Sequence, residues 1–140
     1  MQFDDQDHLD TYGNLYNWYA VDDDKDLCME GWHVPLNEEW TILIDYLGSE
    51  STAGGKMKES GLVHWNSPNT GATNESGFTG LPAGSLNDWG FTDIGKEVRF
   101  WSSSPSSLNG WNWRLYYDNS NVISSENSRR YGFSIRCLQD

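Results

Sequence analysis

Residues 111–121 read WNWRLYYDNSN, four aromatic rings within seven residues and then four small polar side chains. The order alternates. Trp111, Trp113, Leu115 and Tyr117 take the odd positions, and Asn112, Arg114, Tyr116 and Asp118 the even ones. A period of two belongs to an extended strand, whose successive side chains point to opposite faces. The stretch therefore reads as a strand with a buried odd face and an exposed even face. Asp118 to Asn121 reads as a turn, and a second strand is expected from about Val122. Tyr131, Phe133, Ile135 and Cys137 repeat the alternation against Ser134 and Arg136. An antiparallel meander with its inner face in the core is the expected outcome.

Upstream, GWHVPLNEEWTILIDYLG (31–48) carries the clearest helical signal. Trp40, Leu43, Ile44 and Leu47 fall on one face at helical spacing. Asn37 is the expected N-cap, Glu38 and Glu39 suit the positive end of the helix dipole, and Gly48 closes the helix. YGNLYNWYAV (12–21) reads as a strand or turn running into a helical start. Residues 49–98 are turn chemistry almost throughout, with GFTGLPAG (77–84) a tight turn feeding a buried strand.

A chain of 140 residues suits one domain, 1–140. Its 14% aromatic content, with eight Trp, lets few residues bury much area. The net charge of −12 argues against a nucleic-acid partner, since phosphates repel such a surface. The charge is uneven: residues 1–97 carry a net of −14 and residues 98–140 a net of +2. No apolar run is long enough to cross a membrane. MQFDDQDHLD is acidic from the start and reads as no signal peptide, so a leader already removed, or a virion protein needing none, is expected. Asp22, Asp23, Asp24 and Asp26 lack the spacing of a calcium loop and read as solvated. Cys28 and Cys137 form no CxxC motif; they are either two buried thiols or one long-range disulfide.

The pieces YGNLYNWYAV, C-x-x-GWHVP-x-x-EEW-x-x-L, GFTGLPAG, FWSSS and YGFSIRC run in this order from Tyr12 to Cys137. Together they resemble the Fibrobacter succinogenes major paralogous domain family, which looks like a branch of the C-type-lectin fold. The resemblance implies an α+β domain with two helices flanking a small, twisted, mostly antiparallel sheet with long loops. It also implies that Cys28 pairs with Cys137.

The tail, FWSSS…GWNWRLYYDNSNVISS…YGFSIRC, resembles the variable region of proteins diversified by retroelements, with 101–137 as the candidate region. That resemblance implies fixed positions at Trp101, Trp111, Leu115, Tyr117, Val122, Gly132 and Phe133. It implies a changeable, ligand-binding set at Asn112, Arg114, Tyr116, Asp118, Asn119, Ser120 and Ile123. The loop residues Ser104, Ser106, Ser107, Leu108 and Asn109 join that set. Asn, Ser, Asp, Arg, Tyr and Ile all arise from an Asn codon by adenine changes, whereas Glu126 does not arise from AAC in that way.

The residues offer little catalytic chemistry. No GxSxG turn presents a nucleophile, and His8, His33 and His64 show no metal spacing. Formylglycine-generating oxidases share the lectin fold but need neighbouring catalytic cysteines, and here both are assigned to structure. The Glu-Pro-Asn and Trp-Asn-Asp tripeptides of calcium lectins are absent, so neither metal nor cofactor is expected. Trp65, Trp89 and Trp113 are candidates for stacking on sugar.

The expected function is non-enzymatic recognition by a surface spanning 103–126, outside the cell or on a virion. The expected partner is a protein or surface glycan of another cell. The alternatives are a carbohydrate-binding accessory domain of a polysaccharide-degrading system and a passive stalk domain.

Overall fold

A computed structural model describes residues 6–23 and 27–140. Asp24 and Asp26, part of the acidic run, lie outside the described residues. The chain opens with two short helices, α1 (Gln6–Tyr12) and α2 (Trp18–Val21), and a two-residue strand β1 (Trp32–His33). The main helix α3 (Asn37–Leu47) is followed by the single turn α4 (Ala53–Met57). A hairpin of β2 (Ser85–Asn87) and β3 (Gly90–Thr92) precedes the main strands β4 (Glu97–Trp101), β5 (Asn109–Tyr116) and β6 (Val122–Ser128). The last strand, β7 (Leu138–Gln139), pairs antiparallel with β1. Among the described residues the fold is thus mixed, with few helices and three small antiparallel sheets.

The strand read from residues 111–116 is β5, the centre of the sheet β4-β5-β6. Its register sets Val98 against Leu115, Phe100 against Trp113, and Leu115 against Val122. Residues directly opposite share a face, so these five form one apolar wall. Helix α3 lays Trp40, Ile44 and Leu47 on that wall, and Ala53, Met57 and Trp65 complete the cluster. Trp40 stacks on the adjacent rings of Phe100 at 5.6 Å and Trp113 at 6.4 Å. Fully burying an aliphatic side chain such as Leu115 contributes about 1.5–3 kcal/mol. A second, smaller cluster joins Trp18, Trp101 and Phe133 at the other face of the sheet. Gly110 is required there, because a Cβ would lie 2.6 Å from Trp18 and 2.7 Å from Trp101.

Three expectations need correction. Asn37 is the first residue of α3, not its cap. Its Oδ1 instead accepts from the Trp113 indole at 3.0 Å, while its N–H donates to Ser104 Oγ at 2.7 Å. The cap is therefore tertiary, and the Glu39 carboxylate adds to it by accepting from the Leu36 N–H at 3.0 Å. Helices number four rather than two among the described residues. Lastly, residues 131–137 do not continue the meander. Ser134 bridges Phe100 in parallel while Phe133 bridges Tyr16, so this segment lies beside β4, not β6. Backbone on both sides buries Ser134 along with Phe133, and the inside–outside alternation fails there. Arg136 turns its guanidinium onto Phe78 at 4.0 Å and Phe100 at 5.8 Å.

Cys28 and Cys137 form a disulfide, with Cα atoms 5.9 Å apart at a sequence separation of 109. It ties the segment entering α3 to the segment leaving β4's flank. Closing so long a loop in the unfolded chain stabilises the domain by about 4–5 kcal/mol on the entropy model. Such a bond belongs to an environment outside the reducing cytoplasm. Among the described residues no helix is long and apolar enough to cross a membrane.

Candidate functional site

The even face of β5 carries Gly110, Asn112, Arg114 and Tyr116, and pairing adds Glu97, Arg99 and Trp101 from β4 and Ile123, Ser125 and Asn127 from β6. This face has three zones. At one end Trp18 covers Gly110 and Trp101. In the middle lies a polar network. At the other end Arg114, Tyr116 and Ile123 are only partly covered, Ile123 being 38% exposed.

The network corrects the reading of Asn112 as an exposed contact residue, since Asn112 is fully buried. Its Nδ2 donates to Ser125 O at 3.0 Å and Asn127 Oδ1 at 2.8 Å. Its Oδ1 accepts from Arg99 Nη1 at 3.3 Å and Ser125 Oγ at 3.2 Å. Arg99 also donates through Nε to Glu97 at 2.6 Å. A buried carboxamide with all these groups satisfied rigidifies the sheet and has nothing left to offer a partner. Ser104 needs the same correction: it is buried, and its hydroxyl caps α3.

The remaining expected residues lie at both ends of β5: the loop Ser106–Asn109 enters the strand beside the end covered by Trp18, and the turn Asp118–Ser120 follows it beside the partly open end. Ser107, Leu108 and Asn109 are exposed, Leu108 at 83%. Ser106 donates to the Glu126 carboxylate. Asp118 is exposed, and Asn119 and Ser120 are half-buried. Asn119 Oδ1 accepts from the Asn121 N–H at 3.0 Å, and Ser120 Oγ donates to Thr70 O at 3.2 Å, so both brace the turn.

Two cations that the alternation did not point to hold these loops. Lys58 is fully buried, and its ammonium donates to the carbonyls of Thr70 at 2.9 Å, Tyr116 at 2.9 Å and Asn119 at 3.0 Å. Burial lowers its pKa to about 8. Arg129 donates to the carbonyls of Asn109 at 3.0 Å and Ser106 at 2.8 Å, with its guanidinium 4.6 Å from the Trp18 ring. Both cations grip main chain, so neither anchor depends on the loop side chains. Glu97, Arg99, Ser125 and Asn127 were also missed, because only the strand pairing brings them together.

Of the three Trp proposed for stacking on sugar, Trp65 and Trp113 are buried and unavailable, whereas Trp89 is 89% exposed at the β2–β3 turn. Among the described residues no group of three or more His, Cys, Asp or Glu is placed to hold a metal ion. His33 lies between Asp140 at 2.6 Å and Glu39 at 2.9 Å. The hydrogen bond to Asp140 and then that to Glu39 raise its pKa.

A family model described as the Fibrobacter succinogenes major domain matches residues 1–139, and the chain belongs to that family. No curated protein and no solved structure matches it significantly.

Proposed function

We propose that this member of the Fibrobacter succinogenes major domain family is a non-enzymatic recognition domain. Its binding surface is the open end of the sheet, Arg114, Tyr116 and Ile123, continued by the turn Asp118, Asn119 and Ser120, with the loop Ser107, Leu108 and Asn109 as a second patch at the opposite end of β5. The observation that carries this reading is the anchoring through carbonyls of the turn after β5 by Lys58 and of the loop before β5 by Arg129. Loops held this way keep their path while their side chains change, which is what a diversified surface requires. Preorganisation of this kind also lowers the entropy cost of binding. Tyr and Arg supply large amphipathic contacts, and Ser and Asn supply adaptable hydrogen bonds.

The C-type-lectin likeness belongs to the same proposal. It is supported by a disulfide from before α3 to the final segment and by the antiparallel closure of β1 on β7. The disulfide also supports a site of action at a cell or virion surface.

The test is selection from a displayed library randomised at Leu108, Asn109, Tyr116, Asp118 and Ile123. Binders to unrelated protein targets that keep the parent circular-dichroism spectrum support the reading. A library yielding only unfolded or non-binding chains contradicts it. Adenine-rich codons at these positions, beside a near-duplicate template and a reverse transcriptase gene, would establish the diversification itself.

One observation favours a second reading. Trp89, bare at a hairpin tip, is placed to stack on a sugar ring. Glycan-array binding lost in Trp89→Ala but kept in Tyr116→Ala would move the site to that hairpin.

A further inference from the structure

On the polar zone of the sheet the charges do not balance. Glu97 is buried, 3% exposed, and faces two guanidinium groups. Arg99 Nε meets its Oε2 at 2.6 Å, and Arg114 Nη1 stands 4.0 Å from its Oε1. Among the described residues no other carboxylate lies within ion-pair distance of either arginine, so the cluster carries one net positive charge in a chain of net charge −12. Arginine does not shed its proton in proteins, so the excess charge is permanent.

The two arginines are not equivalent. Arg99 Nη1 is engaged with Asn112, Ser125 and Asn127 at 3.3 Å each. Arg114 Nε is shut off from water and has no hydrogen-bond partner, while its guanidinium rests 4.7 Å from the centre of the Tyr116 ring. The Arg114 side chain keeps 26% of its surface, so its fork is reachable from solvent. A half-desolvated guanidinium with a weak partner is costly to leave unpaired. A carboxylate matches its planar donors in a two-point contact.

We propose that Arg114 receives the carboxylate of an Asp or Glu side chain on a partner protein, with Tyr116 and Ile123 as the apolar rim of that contact. This rests on the binding face described above and specifies what it takes. A protein carboxylate fits better than an acidic sugar. The neutral groups that would read sugar hydroxyls, Asn112, Ser125 and Asn127, are bonded to one another and to Arg99. Glu97 sets the strength of the contact by partly neutralising the cluster.

The experiment follows the arginine Nε–H resonances of the full chain during titration with N-acetylglutamic acid amide at constant ionic strength. The glutamine counterpart and glucuronate serve as comparison probes. The expected result is a saturable shift of the Arg114 resonance with the glutamate probe and none with the glutamine probe. Arg114→Gln should abolish saturable binding of the probe as read at the neighbouring Arg99 resonance. Glu97→Gln should tighten binding about fivefold by removing the competing carboxylate. Equal responses to both amino-acid probes, no saturable response at all, or undiminished binding in Arg114→Gln would overturn the proposal. So would a glucuronate affinity well above that of the glutamate probe. If the probe fails while binders selected on this face still lose affinity on Tyr116→Ala and Ile123→Ala, the face stands and its carboxylate preference falls.

Discussion

Lys58 carries a full charge where water does not reach, and three backbone carbonyls take the place of water. Replacing it by Met keeps most of the stem but leaves those carbonyls without a donor. Lys58→Met should therefore cost about 3 kcal/mol in urea unfolding. The titration of Lys58 has a definite sign. Its pKa is lowered from 10.5 to about 8 in the folded chain, so the burial penalty is complete below that value. Across the interval from about 8 to 10.5 the unfolded chain binds more protons, and this group's contribution to stability rises with pH. The stability difference between the parent and Lys58→Met should grow in that direction; a difference flat or falling across the interval would contradict the buried ammonium. His33 works oppositely. Its pKa is raised by Asp140 and then Glu39, so its contribution is complete below the unfolded value near 6.5 and fades as pH rises through the folded one. Because the ring is 36% exposed, the effect should stay below about 1 kcal/mol in a pH series on His33→Gln.

The strand β5 shows what alternation determines and what it leaves open. Trp113, Leu115 and the stripe Trp40, Ile44 and Leu47 of α3 were legible in the sequence, because burial of one face imposes a period. Asn112 was not, because its burial depends on Arg99 from β4 and on Ser125 and Asn127 from β6, and register is invisible to one strand's pattern. The segment 131–137 misled for a related reason: its alternation assumed one neighbour, and it has backbone on both sides. Nothing in KMK (56–58) marked Lys58 as the buried lysine, since its acceptors are main-chain carbonyls drawn from two distant segments. At this scale the packing predicts two losses. Leu115→Ala should cost about 2–5 kcal/mol in denaturant unfolding. Gly110→Ala, which forces a methyl group between Trp18 and Trp101, should cost about 1–3 kcal/mol by the same measurement. A neutral Gly110→Ala would mean that α2 does not pack on the sheet as described.

Across the molecule, the disulfide and the β1–β7 pair fasten the segment before α3 to the segment 137–139, beside two clusters that share the sheet. The double variant Cys28→Ala, Cys137→Ala should lose about 4 kcal/mol, read as a lower midpoint in urea, and reductant should lower the parent's midpoint similarly. The same organisation divides labour: apolar walls and carbonyl-bound cations hold the fold, and the loop side chains are left to face a partner. The most direct measurement is the thermal melt of a chain substituted at once by Ala at Ser107, Leu108, Asn109, Tyr116, Asp118 and Ile123. Cooperative unfolding within about 5 °C of the parent is expected, while Lys58→Met alone should fall by about 10 °C. Loss of cooperative unfolding in the six-fold variant, or a Lys58→Met chain as stable as the parent, would contradict it.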